Sequence, residues 1–188
     1  MSTTTKIALE ASLKKCLLHK PIDKITINEL AADCGITRMT FYYHFKDIYD
    51  LVEWVCVEDG RKALKGKKTY DTWQEGALQI FEAVMENKPF IVNVYKNVSR
   101  GKIESFLHKL TYDLISGVIE EKSVGKGLKE EDKAFIAEFY KYAFVGVMLD
   151  WIAGGMKEDY KKIVEKMSTT LHGTVAVSIS NFEHMRES

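Results

Sequence analysis

Proline is almost missing from this sequence. Only Pro21 and Pro89 occur in 188 residues, so long stretches contain nothing that would stop a helix. Strand-like alternation is missing as well, and apolar side chains recur instead at spacings of three and four along most of the chain. No window reaches the roughly 18 uninterrupted apolar residues of a membrane span, and the opening MSTTTKIALEASLKKC lacks the apolar run of a secretory leader. The expectation is a cytoplasmic protein with no membrane association. Cysteine is scarce: Cys16, Cys34 and Cys56 are odd in number, without CxxC spacing or nearby histidine pairs. That pattern argues against a disulfide framework and a zinc site, and leaves small buried side chains.

Charge of one sign is not in excess either, with 27 basic residues against 27 acidic. A nucleic-acid surface spread over the whole molecule would leave a basic footprint, so any such surface must be local. Catalytic motifs are absent too: no HExxH, GxSxG, phosphate-cradling glycine loop or suitably placed carboxylate pair can be named. His19, His108, His172 and His184 are scattered, as expected on solvated faces. The reading is a non-enzyme without metal or cofactor.

What is present is helix punctuation. With 46% hydrophobic residues the chain can bury a real core, and the fold class reads as all-α, about nine helices. An N-terminal three-helix helix-turn-helix domain over residues 1–50 is followed by a helical bundle over 51–188. The first helix spans about 2–19, with Ile7, Ala11, Leu17 and Leu18 inward, and ends at Pro21. TINE then offers Thr26 as N-cap and Glu29 at the third position, a capping box. Gly35 closes that short helix, and Thr37 caps the next over 38–44. Asp47 can cap a helix over about 48–64, with Leu51, Val52, Val55 and Cys56 inward, which connects the two parts and breaks at KGKK, 65–68. In the body, Asp71 and Gln74 form another capping-box match, and helices fall near 72–86, 88–98, 102–121, 130–153 and 158–184, with a turn at Gly154-Gly155.

The segment ITRMTFYYHF, residues 36–45, divides by face when wound as a helix. Phe41 and Phe45 lie on the inward side, while Met39, Thr40 and Tyr43 point away and Arg38, Tyr42 and His44 flank them. So many exposed large side chains call for a partner. A capped short helix, a glycine turn and a second short helix match what double-stranded DNA needs for its major groove to receive the second helix. Arg38 can bond guanine through two N–H groups, Thr40 offers a hydroxyl and a methyl, and Tyr42, Tyr43 and His44 can donate to phosphates. Thr26 and Thr37 stand at helix N-termini that favour phosphate, and Lys46 adds a cation.

ITINELAADCGITRMTFYYHFKDIYDLV resembles the DNA-binding domain of the tetracycline-repressor-like (TetR) family, through Ala31, Gly35, Thr40-Phe41-Tyr42, Phe45 and Leu51. The resemblance implies backbone contacts from Thr26, Thr37 and Tyr42, groove contacts from Arg38, Met39, Thr40 and Tyr43, and edge positions for His44 and Lys46. It departs at Ile48, where the family usually carries a phosphate-reaching lysine. It further implies a homodimer on an inverted-repeat operator and, in many members, a ligand pocket in the body. The layout YDTWQEG, ENKPFIVNVY and FYKYAF…WIAGGM resembles regulators of bacterial dihydroxyacetone kinase operons, which implies activation through a partner protein.

The leading expectation is a repressor released by a small apolar or aromatic ligand; the alternative is an activator or co-regulator controlled by a partner protein. Trp73, Phe81, Met85, Tyr95, Phe106, Leu110, Phe139, Tyr142 and Trp151 are candidates to line a ligand pocket. The helix around FYKYAFVGVMLDWIAGG is apolar on more than one face, and the surplus suggests a four-helix contact between subunits. The candidates there are Val145, Met148, Leu149, Ile152, Met167, Leu171, Val175 and Ile179, with Gly146 at a close helix approach.

Overall fold

The structure, a computed structural model, describes residues 2–64, 72–98 and 100–187. The expected break at 65–68 and the Asp71 cap lie outside the described residues. Within them every regular element is helical: α1 (Ser2–Leu17), a 3₁₀ turn (Ile22–Lys24), α2 (Ile27–Asp33), α3 (Arg38–His44), α4 (Ile48–Ala63), α5 (Trp73–Glu86), α6 (Lys88–Asn97), α7 (Arg100–Lys122), α8 (Glu130–Ala153), α9 (Tyr160–Leu171) and α10 (Thr174–Glu187). None of these helices is long and apolar enough to cross a membrane. The chain forms two compact units: Met1–Asp59 with Asn87–Phe106, and Gly60–Glu86 with Leu107–Ser188. The first unit therefore takes in α6 and the start of α7, which the sequence reading assigned to the body.

The inward stripe of α1 is Leu9, Leu13 and Leu17, all buried, at the fours that keep side chains on one face. Of the expected inward set only Leu17 is there; Ile7 and Leu18 are exposed, as is Ala11, because at helical spacing they fall on the side of α1 roughly opposite the stripe. Ile25, Leu30, Phe41, Leu51, Val52 and Val55 are buried in the same unit. At the C-terminal end of α1, Asn93 of α6 takes over the backbone groups that the helix leaves unpaired. Its amide donates to the Leu17 carbonyl at 3.0 Å and to the Lys20 carbonyl at 2.9 Å, and its oxygen accepts from the Ile22 N–H at 3.3 Å. The three cysteines are free and half-buried, not fully buried; burial pushes the Cys56 thiol up to about 12.

In the second unit, α5 and α9 bury Ala77, Ile80, Phe81 and Val84 together with Ile163, Val164 and Met167. The Phe81 ring lies 5.1 Å from that of Trp151, whose indole N–H donates to the Glu158 carbonyl at 2.9 Å. Gly60 lets α4 approach α7 closely, since an added methyl would meet the Leu110 side chain at 2.3 Å. At Gly146 no other part of the same chain lies within 4 Å of the missing side chain, and the residue faces outward. The expected final helix is two helices. Gly173 adopts φ +76°, in the left-handed region open to glycine, and the Thr174 hydroxyl donates to the Leu171 carbonyl at 2.9 Å across the break. Beyond it, α10 returns onto α8, where the Tyr140 and Ser178 hydroxyls lie 3.0 Å apart over buried Ile136 and Ile179.

Candidate nucleic-acid interface

Local chemistry builds the α2–α3 pair. Thr26 accepts from the Glu29 N–H at 3.2 Å. The Glu29 carboxylate pairs with Lys20 at 2.6 Å, and that ammonium, aided by the Thr26 backbone N–H, holds it below the usual carboxylate range. α2 closes in a Schellman motif: the Ile36 N–H donates to the Ala31 carbonyl at 2.9 Å and the Gly35 N–H to the Ala32 carbonyl at 3.1 Å. Gly35 sits at φ +64°, which a side chain would resist. The chain restarts at once, with the Thr37 hydroxyl accepting from the Thr40 N–H at 3.1 Å and lying 2.9 Å from the Thr40 hydroxyl.

The two faces of α3 are sharply unlike. Phe41 is 0% exposed and Phe45 3%, whereas Met39 is 75% exposed and Tyr43 83%. Tyr42, Arg38, Thr26, Thr37 and Lys46 are exposed, and Thr40, His44 and Ile36 are half-buried. Thr37, Arg38, Met39, Thr40, Tyr42, Tyr43, His44 and Lys46 thus belong to one short stretch, with Thr26 at the start of the preceding helix. Arg38 is engaged along its own helix, donating to the Tyr42 hydroxyl at 3.0 Å. After α3, Asp47 accepts from the Asp50 N–H at 2.8 Å and Asp50 from the Lys46 N–H at 2.8 Å, so α4 starts capped with half-buried Ile48 as its first residue.

Charge in residues 2–59 is mostly neutralised within the fold. Lys14 bridges Glu10 and Asp59, each at 2.7 Å; Lys15 meets Asp33 at 2.8 Å, Lys20 meets Glu29, and Lys24 lies 3.7 Å from Asp23. Burial pushes the Asp59 carboxyl up against the pull of Lys14, while Lys15 holds Asp33 down. Sequence reasoning missed Lys6, whose ammonium stands 5.3 Å from the Phe45 ring centroid and 5.4 Å from that of Trp54; nothing in the local pattern joins α1 to those two rings.

The body candidates are less well gathered. A cavity of about 250 Å³ opens among α5, α7, α8, α9 and α10, with Trp73, Leu114, Phe144, Ser168 and His172 in its wall. Of the expected liners only Trp73 reaches it. Phe81 and Trp151 pack on each other, Leu110 is buried beside Gly60, Met85 is half-buried, and Tyr95 and Phe106 belong to the first unit. Phe139 and Tyr142 point outward, 64% and 61% exposed, so they line no interior space. Of the residues expected at a subunit contact, Val145, Met148, Leu149, Ile152, Met167 and Ile179 are buried within one chain, and Leu171 and Val175 line the cavity. The outward apolar face of α8 is Phe135, Phe139, Tyr142 and Val147. His108 is half-buried with its ring 4.8 Å from that of Tyr142, not on a solvated face.

A capped helix-turn-helix ahead of a helical body defines a DNA-binding transcription regulator. The chain belongs to the TetR family: the family model for bacterial regulatory proteins of the tetR family matches residues 3–55, and that for a transcriptional regulator C-terminal region matches 71–173. It is similar to the HTH-type dhaKLM operon transcriptional activator DhaS of Lactococcus lactis subsp. lactis (strain IL1403), 22% identical over 171 residues, covering 87% of this chain and 88% of the relative. Among solved structures, the dihydroxyacetone kinase operon activator DhaS shares the fold with a TM-score of 0.63 at 19% identity, covering 95% of this chain and 98% of that one. A tetR-family transcriptional regulator from Streptomyces coelicolor does so with a TM-score of 0.64 at 13% identity, covering 98% and 86%.

Proposed function

We propose that the protein is a homodimeric repressor that binds an inverted-repeat operator in double-stranded DNA and is released by a small ligand held in its body. The contrast across α3 carries the first part of this reading. Met39 and Tyr43 are held out on a helix fastened by fully buried Phe41, and a major groove would cover them. Arg38, Met39, Thr40 and Tyr43 face base edges, and Thr26, Thr37, Tyr42, His44 and Lys46 take phosphates. The outward stripe Phe135, Phe139 and Tyr142 on α8 supports a twofold contact, with Gly146 on the same face admitting a close partner helix. The cavity beside Trp73 supports a small, largely apolar ligand, since its volume lies just below the roughly 300–1,000 Å³ of drug-sized sites.

Likeness to an operon activator favours a second reading, in which the same head binds DNA and a partner protein docked on the body turns transcription on. Selecting fragments of the source genome with the purified protein, then comparing the full inverted repeat with its half-site, tests the DNA part. Equal affinity for the two, or a monomeric wild-type protein in sedimentation, overturns the dimer reading, and a Phe139→Asp variant that stays dimeric overturns the placement of the contact on α8. Transcription from the selected promoter with the protein present and absent decides between repressor and activator.

A further inference from the structure

We infer that Lys6, on the first helix, is a phosphate-binding residue of the DNA interface; the inference rests on α3 being the recognition helix. Among the basic side chains of residues 2–59, Lys14, Lys15, Lys20 and Lys24 each face a carboxylate. Lys6, Arg38 and Lys46 have no carboxylate partner among the described residues. All three lie on α3 or beside its ends. Arg38 is on α3, Lys46 follows it directly, and the Lys6 ammonium lies over Phe45, the C-cap residue of α3, and over Trp54 of α4.

The rings do what a carboxylate would not. They hold the ammonium within about 6 Å of an aromatic face while leaving its charge uncancelled and its N–H donors available. They also restrict a long side chain in advance, which reduces the ordering cost that binding otherwise imposes on it. The Phe45 ring is 6.5 Å from that of His44, itself a phosphate candidate, which puts the cation beside the C-terminal end of α3. Asp47 and Asp50, the carboxylates that follow Phe45 in the chain, are turned onto backbone N–H groups at the start of α4.

The test is the salt dependence of full-length protein binding to a short fluorescein-labelled duplex of mixed sequence, between about 50 and 200 mM salt. Lys6→Met keeps an apolar stem on the rings and removes the charge; it is expected to weaken binding and lower the slope by about one unit, while Lys6→Arg retains both. Lys46→Met and Arg38→Ala are measured alongside. If Lys46→Met lowers the slope and Lys6→Met does not, Lys6 serves only to pack the rings and the inference alone is overturned. If none of the three variants alters binding, the reading of α3 itself fails. A Lys6→Met variant with a lower thermal midpoint and a wild-type slope also overturns the inference.

Discussion

Arg38 donates to the Tyr42 hydroxyl at 3.0 Å, one turn along α3, with its guanidinium 5.4 Å from the ring centroid. A side chain suited to reading guanine is thereby tied to one suited to a phosphate. Arg38→Ala is expected to relax preference at one base position by about 1–3 kcal/mol, and Tyr42→Phe to weaken binding to all sequences. Because the two groups touch, the double variant should deviate from additivity by about 0.5–3 kcal/mol. Competition binding against single-base operator variants measures each quantity, and strict additivity would mean that the pair separates on DNA.

The Thr37 hydroxyl caps α3, and the proposed reading adds a phosphate contact; substitution can separate the two. Thr37→Ala should cost about 1 kcal/mol of stability and weaken binding. Thr37→Asp should restore the cap, because a carboxylate accepts the same N–H, yet repel phosphate. Urea denaturation alongside DNA titration shows whether stability and binding part company in this way.

Asn93 is the long-range fastening of the first unit. Replacing it with Ala leaves two carbonyls and one N–H at the α1 corner without their partner, and the expected loss is about 1–3 kcal/mol, read as a lower urea midpoint with unchanged slope.

Acid should weaken the α2 anchor. Lys20 holds Glu29 below its ordinary range, as Lys15 does Asp33, so both folded values lie below the unfolded ones. Their contribution is present above the unfolded pKa of about 4 and disappears as pH falls through the folded values. Lys20→Met should therefore be less stable than wild type near neutrality, with the difference vanishing under strong acid. Denaturation midpoints taken across that pH range decide it, and a difference that persists in strong acid would assign the effect to packing.

Much of the head was legible because its signals are local. Thr26, Gly35, Thr37 and Asp47 each act on backbone groups within five residues, and the separation of Phe41 and Phe45 from Met39 and Tyr43 follows from helical spacing alone. The body resisted for the opposite reason. α8 is apolar nearly all round, so its sequence does not say which apolar side its own chain covers; Val145 and Met148 went inward, Phe139 and Tyr142 outward. Asn93 and Lys6 act on partners far away in sequence. Gly173 and Thr174 carried a local sign of the break in the final helix, but the apolar spacing on either side ran through it.

The internal pairing of Lys14, Lys15, Lys20 and Lys24 bears on how such a regulator shares a cell with a whole chromosome. Random DNA is held almost entirely by phosphate contacts, and a DNA-binding unit with four of its cations facing its own carboxylates would be expected to grip random sequence weakly. Fewer copies would then be sequestered on irrelevant sites, and discrimination would fall to the proposed groove-facing side chains of α3. Occupancy of the operator becomes a matter of fit more than of charge, and a small population of the protein suffices to fill it.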